Sequence, residues 1–380
     1  MKTFSTHFKT MVLPLALGEV LIWASIFYSF PALLLQWERD TEWSKTALSG
    51  AFSAALLTSA ILSPLAGRLI DRGFARQLVT GSTCLAGVLL LLLASVNSLW
   101  QFYVIWIGLG AAMAGALYEP CFAILTRALG ADAKRGITAL TLIAGFAGTV
   151  SFPLLNALAA LWGWRGAVLC AAAIMLSVAP LLVWRATTAA ERMVGDAAQR
   201  ALPSSGVPLR ILKSPVFWLL GVSFATIALT HGLLLTHIMP LLDERGVQAQ
   251  AAVLAAAMIG PMQVAGRLAM ASVEGHVSTY GVAQTSFLAM GLAALVLLGV
   301  AWQPLLLVLF VVIYGSAYGV TSITRPVVIG EFLGQRDYGV IAGMLAAMYL
   351  AVVAVSPTLA SVIWQVSGYD TVIVIAACAC

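Results

Sequence analysis

Six ionisable side chains lie inside long apolar stretches of this sequence, where a charge is energetically unfavourable. On insertion scales a charged group at the centre of a bilayer costs at least about 2.5–3.5 kcal/mol, so such residues are retained where they face a protein interior or a water-filled cavity. They are therefore the first candidates for binding a ligand or exchanging a proton. The six residues are Glu19, Glu119, His231, His237, Arg267 and Arg325.

Arg267 is the first candidate for binding a substrate, because its chemistry suits a carboxylate. A guanidinium stays protonated and offers a planar, bidentate set of donors. The residue lies several positions, roughly 10 Å at 1.5 Å per residue, before the end of its apolar stretch, which puts it towards the middle of the membrane. The alternative is a structural ion pair with Glu19 or with a residue of another helix.

An acidic and a basic residue each precede a proline. Glu119 is followed by Pro120 and Arg325 by Pro326, and a proline removes a backbone donor and bends a helix. Glu119 could exchange a proton, or it could be the permanent partner of Arg325 or Arg127. Arg325 lies nearer to the predicted cytoplasmic end of its helix, which favours a gating ion pair over contact with a substrate.

The remaining candidates are a glutamate, two histidines and four tyrosines. Glu19 could titrate and couple proton movement to another process, or it could form a structural ion pair. Histidine titrates near neutral pH, so His237 and the deeper His231 could line a site, although isolated histidines are more often hydrogen-bonded packing residues. Hydroxyl groups for a cavity could come from Tyr28, Tyr118, Tyr314 and Tyr318.

The composition places these residues in a membrane protein. Hydrophobic residues make up 61% of the 380 residues and charged residues 9%, and the mean hydropathy is +0.99. Soluble domains are about 45–50% apolar and about 25% charged. The apolar stretches are continuous over about twenty residues, which indicates helices rather than the alternating strands of a barrel. We therefore predict an all-α membrane protein.

Charge and motifs argue against other classes of protein. The net charge of +5 comes from basic residues in short loops, where they act as topology signals, so we expect no binding of nucleic acid. The five cysteines lie in apolar stretches without zinc or redox spacing. The sequence has no phosphate-binding loop, His-Glu-x-x-His motif or Gly-x-Ser-x-Gly elbow. We therefore expect no cofactor, no metal site and no enzymatic activity.

Twelve apolar stretches predict twelve membrane-spanning helices in two sets of six. We expect an N-terminal six-helix bundle at 1–186, a cytoplasmic linker at 187–213 and a C-terminal six-helix bundle at 214–380. The last stretch has about half of the roughly 20 residues that a spanning helix needs, so this helix is short or truncated. The predicted spans are 12–36, 45–67, 77–96, 99–126, 137–161, 166–185, 214–242, 248–272, 280–300, 303–329, 339–363 and 369–380.

The two halves resemble each other weakly, and their charges predict an orientation. Predicted spans four and ten each start with Trp-Gln, contain a charged residue before a proline and end in Leu-Gly. Repeated six-helix halves, with a site at their interface near the midplane, are typical of secondary transporters. Most Lys and Arg residues of the loops fall on the inner side if the N-terminus is inside. We expect a multi-pass protein of the cell inner membrane with both termini in the cytoplasm.

The loop after span two resembles the loop signature of the major facilitator superfamily. It reads GRLIDRGFAR, which is similar to that superfamily's Gly-x-x-x-Asp-Arg-x-x-x-Arg pattern. Such a loop works physically as a charge latch, in which an acid lies near a helix end and the arginines reach neighbouring cytoplasmic helix ends. The alternative is a basic loop that only sets the topology. The matching residues are Gly67, Asp71, Arg72 and Arg76.

Four longer stretches, 41–53, 134–165, 237–246 and 337–369, are similar to bacterial monocarboxylate porters, which also resemble oxalate/formate-type exchangers. The resemblance implies a twelve-helix major facilitator fold with two pseudo-symmetric six-helix bundles. It also implies that Arg267 holds a substrate carboxylate and that His237 lines the site.

The sequence departs from the animal monocarboxylate carriers at two places. Predicted span one has no lysine, and Gln263 stands where those carriers have an acidic partner four residues before Arg267. Their proton coupling through lysine, acid and arginine is therefore not implied here, although Gln263 remains a candidate for lining the site.

We therefore expect a secondary active transporter of a small organic anion, a monocarboxylate, that works by alternating access with proton coupling or anion exchange. Its expected partners are the organic anion, protons or a counter-anion and the lipid bilayer, and we expect a functional monomer. The alternative on the same fold is an exporter of a drug or another metabolite. A membrane-embedded enzyme or a non-transporting sensor would be a different class, which the missing catalytic motifs and soluble output domain disfavour.

Overall fold

The computed structural model describes residues 7–194, 209–273, 278–333 and 338–380, and their secondary structure elements are helices. Within these residues, nine helices are long and apolar enough to cross a membrane. Two of the nine turn at a glycine, at Gly163 with φ of 70° and at Gly368 with φ of 74°, so each forms two arms. A further helix carries a shorter apolar stretch, Leu305–Thr321. Counted in this way, the described residues form the twelve predicted crossings.

The first six spans contain two kinds of interruption. Span one has π-helical turns at Phe8–Val12 and Trp23–Phe27, and span four is broken at Leu117, whose ψ is −161°. The α-helices are Leu13–Ile22 and Ser29–Thr41 in span one, Lys45–Asp71 in span two, Ala75–Leu93 in span three, Leu99–Ala116 and Tyr118–Leu129 in span four, and Ala133–Ala144 and Ala147–Val194 in spans five and six; a 3-10 turn, Gly130–Asp132, precedes span five.

The second set of spans is more regular. Span seven breaks at His237, and a 3-10 turn at Leu297–Gly299 ends span nine. The α-helices are Leu209–Leu212 before span seven, Pro215–Thr236 and Ile238–Glu244 in span seven, Ala249–Val273 in span eight, Thr279–Val296 in span nine, Leu305–Leu333 in span ten, and Tyr338–Ala379 in spans eleven and twelve.

The chain divides into two compact units, residues 1–201 and 202–380. The helix of span six continues to Val194, inside the stretch 187–213 that was predicted as a linker, and a four-residue helix, Leu209–Leu212, precedes span seven. The residues between them, 195–208, lie outside the described part of the chain. Each unit is described below by itself.

One helix pair in each unit packs so closely that only glycine fits. A Cβ atom on Gly110 of span four would lie 2.1 Å from the backbone oxygen of Ala55 in span two. At the equivalent place in the second unit, a Cβ atom on Gly319 of span ten would lie 2.2 Å from the backbone oxygen of Gln263 in span eight. Small residues let helix backbones approach in this way. The repeated contact is the structural counterpart of the weak repeat in the sequence.

A second pair of contacts repeats between the units. A Cβ atom on Gly87 of span three would lie 2.6 Å from Leu176 of span six, and one on Gly291 of span nine would lie 3.1 Å from the backbone oxygen of Ala377 in span twelve. Spans three and six thus correspond to spans nine and twelve. The two units are therefore built on one packing plan.

We expect Gly110→Ala to destabilise the protein, because the added methyl group must displace the backbone of Ala55. Overpacking of this kind costs about 1–3 kcal/mol. The matched control is Gly81→Ala in span three, where a Cβ atom would meet nothing within 4 Å and alanine is the better helix former. Thermal unfolding in detergent should give a lower melting temperature for the first variant only, and equal values would contradict the close contact.

Candidate functional site

The N-terminal unit holds a buried carboxyl group among neutral donors. Glu19 of span one is 0% exposed. Its Oε2 accepts a hydrogen bond from Trp23 Nε1 at 3.0 Å, and its Oε1 accepts one from Cys121 Sγ at 3.2 Å. Trp23 lies one helical turn after Glu19, whereas Cys121 comes from span four. The carboxyl group is thus held between two spans by donors that carry no charge.

The backbone is irregular on both sides of this carboxyl group. Span one continues as the π-helix Trp23–Phe27, and such turns inside α-helices are frequent at functional sites. Span four breaks at Leu117 and restarts at Tyr118. Pro120 lies in the first turn of the new arm, where its missing N–H removes no helical hydrogen bond. The predicted bend of span four is therefore present, and it lies before the proline.

Two of the predicted tyrosines lie beside this carboxyl site. The ring centre of Tyr118 is 4.6 Å from that of Trp23, and the ring centre of Tyr28 is 6.3 Å from it. Both tyrosines are half-buried, whereas Glu119 is exposed. The structure therefore brings Glu19, Tyr28 and Tyr118 together, and puts Glu119 on the accessible surface of the same unit.

Two arginines make contacts near the end of span two and the start of span three. Arg76 forms an ion pair with Glu191 of span six, with Nε and Oε2 3.5 Å apart, and its guanidinium lies 4.7 Å from the centre of the Trp184 ring. Arg127 of span four donates a hydrogen bond to the backbone oxygen of Ile70. Cations are favourable at the C-terminal carbonyls of a helix. Arg76 thus reaches a neighbouring helix, as a latch requires.

Gly67 and Arg72 of the predicted latch contribute less to the packing. Arg72 caps span two and its side chain is exposed. A Cβ atom on Gly67 would meet nothing within 4 Å, so local packing does not require glycine there. The helix of span two ends at Asp71, whose side chain lies outside the described part of the structure.

In the C-terminal unit, Arg267 connects spans eight and ten. It is 8% exposed, and its Nε donates a hydrogen bond to the backbone oxygen of Gly319 at 3.1 Å. Gln263, one turn earlier and 6% exposed, lies at the same close contact between the two helices. The structure therefore gives Arg267 a packing role that the sequence did not predict.

Spans seven, ten and eleven meet through a chain of aromatic side chains. His231 Nδ1 and Tyr314 Oη are 2.9 Å apart. The His231 ring also stacks on Tyr318, with ring centres 3.6 Å apart and planes within 2°. The hydroxyl oxygens of Tyr318 and Tyr349 are 2.9 Å apart. His231 and Tyr314 are buried and the other two tyrosines are half-buried, so this aromatic chain runs from the packed interior towards accessible space.

Arg325 lies at the accessible end of the aromatic chain. Its Cζ is 4.7 Å from the centre of the Tyr349 ring and 5.8 Å from that of Phe224. Span ten continues to Leu333, eight residues further, so Arg325 is about 12 Å from the helix end. Within the described part of the chain, its guanidinium makes no ion pair and no hydrogen bond. The gating ion pair stays a prediction, and the described contacts of Arg325 are with aromatic rings.

The described contacts of His237, a predicted site residue, are with other spans of the C-terminal unit. It is 0% exposed. Its Nδ1 is 2.9 Å from the hydroxyl oxygen of Tyr369 in span twelve, and its Nε2 is 3.0 Å from the backbone oxygen of Pro357 in span eleven. Both ring nitrogens thus make contacts within the protein, which gives His237 a structural role, and its place in the substrate site stays a prediction.

Sequence reasoning missed four residues at these clusters, and only one had a local signal. Trp23 lies four residues after Glu19, a spacing that puts both on one helix face. Cys121 meets Glu19 across two spans, and Phe224 and Tyr349 meet Arg325 from two other helices, so their roles depend on tertiary packing. Among the described residues, no group of three or more His, Cys, Asp and Glu residues is arranged to hold a metal ion.

The helices and their intramembrane polar clusters define a multi-pass membrane protein of the transporter class. The family model described as Major Facilitator Superfamily matches residues 15–380, so the chain belongs to that superfamily. This confirms the predicted superfamily and fold class. The finer prediction, a monocarboxylate porter, stays a prediction.

Two known proteins illustrate the relationship. The chain is 25% identical over 313 residues to the MFS transporter asaE of Aspergillus flavus, a match that covers 80% of this chain and 67% of that protein. Its fold is similar to the crystal structure of the nucleoside transporter NupG, with a TM-score of 0.69 and 14% sequence identity, covering 97% of this chain and 96% of the other. At this identity the second match supports the fold alone.

We expect His237→Phe to lower stability without changing the affinity for a substrate, because it leaves the Tyr369 hydroxyl and the Pro357 carbonyl without their partner. A buried polar group without a hydrogen bond costs about 1–3 kcal/mol. Tyr369→Phe removes only the hydroxyl group that contacts His237 Nδ1, so it should lower stability less. Thermal unfolding and the transport KM should be measured together. A raised KM with an unchanged melting temperature would support the prediction that His237 lines the substrate site.

Proposed function

We propose that this protein is a secondary active transporter that moves a small organic anion, a monocarboxylate, across the membrane by alternating access. Membership of the Major Facilitator Superfamily supports a transporter of small molecules. The proposal that the substrate is an anion rests on one observation, which is the distribution of charge within the spans of the C-terminal unit.

The spans of the C-terminal unit carry positive charge in their interior. Arg267 lies six residues before the last residue of its helix, and Arg325 lies eight residues before the last residue of its own. A cation within the membrane needs a counter-charge, and a carboxylate can supply one through two parallel hydrogen bonds. The described acidic residues of the unit lie at or near helix ends: Asp243, Glu244, Glu331 and Asp370.

We propose that Glu19 of the N-terminal unit couples transport to protons. Its partners Trp23 and Cys121 are neutral, and a buried carboxylate without a cationic partner is unfavourable. A proton that moves with a monocarboxylate keeps the transported pair neutral. Glu119 is the second candidate for this role, and exchange against another anion is the alternative to proton coupling.

The orientation and the two functional halves belong to the same proposal. The bias of Lys and Arg towards one set of loops supports an inner-membrane protein with both termini in the cytoplasm. We propose bundles at 1–186 and 214–380 with a linker at 187–213, acting as a monomer. The ion pair between Arg76 and Glu191 supports a latch at the loop after span two.

The proposal predicts carboxylate transport by the purified protein in liposomes. We expect accumulation of at least one labelled monocarboxylate, driven by an inward proton gradient or by a carboxylate inside the vesicle. The test panel is acetate, lactate, pyruvate and benzoate, with uridine and tetraphenylphosphonium as a neutral and a cationic alternative and empty liposomes as the blank. Transport of uridine or the cation without any carboxylate would reject the proposal and favour an exporter of another metabolite or drug.

We expect Glu19→Gln to abolish accumulation driven by the proton gradient while carboxylate exchange across the membrane remains, because the amide cannot carry a proton. The matched control is Asp40→Asn at the end of span one, where the side chain is exposed. Both reactions should be measured with the same labelled acid. If Glu19→Gln retains accumulation and Glu119→Gln loses it, the coupling carboxyl is Glu119; if both retain it, proton coupling through these residues is excluded.

A further inference from the structure

We infer that Arg325, with the rings of Tyr349 and Phe224, is the carboxylate-binding subsite of this transporter, and that the substrate it fits is a planar aryl carboxylate. The inference rests on the proposed function, because it assumes that an organic anion is carried. It goes further by naming the binding residue, which differs from the residue predicted by sequence, and the chemical class of the substrate.

The described contacts of the two arginines differ, because Arg267 donates to a helix carbonyl whereas none of the described residues accepts a hydrogen bond from Arg325. The Nε of Arg267 donates to the backbone oxygen of Gly319, and only 8% of the residue is exposed. Arg325 is half-buried, and within the described residues its guanidinium forms neither a hydrogen bond nor an ion pair. A guanidinium in a membrane span whose donors find no acceptor among the described residues is the group that gains most from an arriving carboxylate.

The rings around Arg325 favour a flat substrate. The guanidinium lies over the faces of Tyr349 and Phe224, at 4.7 and 5.8 Å from the ring centres. A guanidinium over a ring keeps its N–H donors directed outwards in its own plane. A bidentate carboxylate lies in that plane, so a group conjugated with it extends alongside the aromatic wall. An aryl group can make this contact and a bulky saturated ring cannot.

The aromatic wall is fixed before a substrate arrives. The Tyr349 hydroxyl is 2.9 Å from that of Tyr318, and the Tyr318 ring stacks on His231 at 3.6 Å. His231 is in turn hydrogen-bonded to Tyr314 at 2.9 Å. Because these side chains come from spans seven, ten and eleven, they hold Tyr349 in position, and a site that is already ordered loses less entropy on binding.

The surroundings of the subsite are apolar. Phe224 belongs to a buried cluster of spans seven, ten and eleven, and Tyr349 packs against that cluster. Aromatic rings bury large apolar area, and a substrate aryl group would extend this surface. The other members of the buried cluster are Phe217, Ile329, Ile341 and Leu345. The subsite thus combines one cation with apolar walls, which matches a molecule with one carboxylate and one ring.

The test compares two acids of equal charge and similar size that differ in planarity. Uptake of labelled benzoate and cyclohexanecarboxylate is measured in proteoliposomes, with benzamide as a planar competitor that carries no charge. We expect the KM for benzoate to be at least about tenfold lower than that for cyclohexanecarboxylate, and benzamide not to compete. Equal KM values, or uptake of aliphatic acids alone, would overturn the substrate class while leaving the proposed anion transport intact.

Variants then identify the binding residue. Arg325→Gln should raise the KM for benzoate at least about tenfold. Arg325→Lys keeps the charge without the planar donor set, so its KM should lie between those of the unchanged protein and Arg325→Gln. Tyr349→Leu should raise the KM for benzoate about fivefold but that for cyclohexanecarboxylate less than about twofold. Tyr349→Phe, which keeps the ring, should change neither by more than about threefold.

Two further variants separate binding from packing. Arg267→Gln should lower the melting temperature and the maximal rate while the KM for benzoate changes less than about threefold. Arg192 is an exposed arginine at the end of span six. Arg192→Gln should leave the melting temperature, the maximal rate and the KM for benzoate unchanged. The folding of each variant is checked by size-exclusion chromatography. If Arg325→Gln is not monodisperse, the KM values of Arg325→Lys and Tyr349→Leu test the subsite instead.

The outcomes distinguish failure of the inference from failure of the proposed function. If carboxylates are taken up, Arg325→Gln leaves the KM unchanged and Arg267→Gln raises it, the anion binds at Arg267. This result would overturn the inference but not the proposed function. Absence of uptake for every carboxylate by the unchanged protein would reject both. A raised KM in Arg325→Gln together with loss of benzoate preference in Tyr349→Leu would establish the subsite.

Discussion

Hydrogen bonding to backbone carbonyl groups is the interaction on which the packing of these spans depends. In hydrocarbon every backbone polar group needs a partner within the protein, and a polar side chain that reaches a carbonyl of the next helix satisfies both groups. In the N-terminal unit Ser151 donates to Ala24 at 2.8 Å. In the C-terminal unit Thr230 donates to Ala376, also at 2.8 Å. Arg267 and His237 make contacts of the same kind.

This use of polar side chains changes how an ionisable residue in a span should be interpreted. Rarity within the membrane made Arg267, His237, Glu19 and Arg325 candidates, and the chemistry of a guanidinium put Arg267 first. Arg267 and His237 are bound to carbonyls of neighbouring helices, so their presence is explained at least in part by packing. Glu19 is held by neutral side chains and Arg325 by aromatic rings. Glu19 and Arg325 are therefore the two candidates whose described contacts are with neutral side chains rather than with backbone carbonyls.

Much of the fold was predictable because its causes are local in the sequence. Continuous apolar stretches indicate spanning helices, and the twelve arms follow from them, including the turns at Gly163 and Gly368 where positive φ favours glycine. The repeat of spans four and ten was visible as similar motifs, and the structure gives it a physical meaning at Gly110 and Gly319, where helix backbones meet.

The site was less predictable because its contacts join residues far apart in the chain. The sequence places Arg325 before Pro326 but does not reveal that Tyr349 and Phe224 cover its guanidinium. The apolar stretch around Arg325 was assigned an end at residue 329, whereas the helix continues to Leu333. Which arginine has available donors depends on helix faces, and these depend on close contacts such as the one at Gly319.

Glu19 and Arg325 carry charges of opposite sign, and on the proposed function this difference makes the movement of substrate and proton depend on each other. On the proposed function, closing water away from Arg325 without a ligand leaves a cation in an apolar cluster, which is unfavourable. A bound carboxylate removes that penalty, and a proton on Glu19 does the same for the buried acid. Movement of the empty or half-loaded protein is then opposed by desolvation, whereas the fully loaded protein carries no net charge at either place. Coupling would follow from the unfavourable burial of charge, without a direct contact between Glu19 and Arg325.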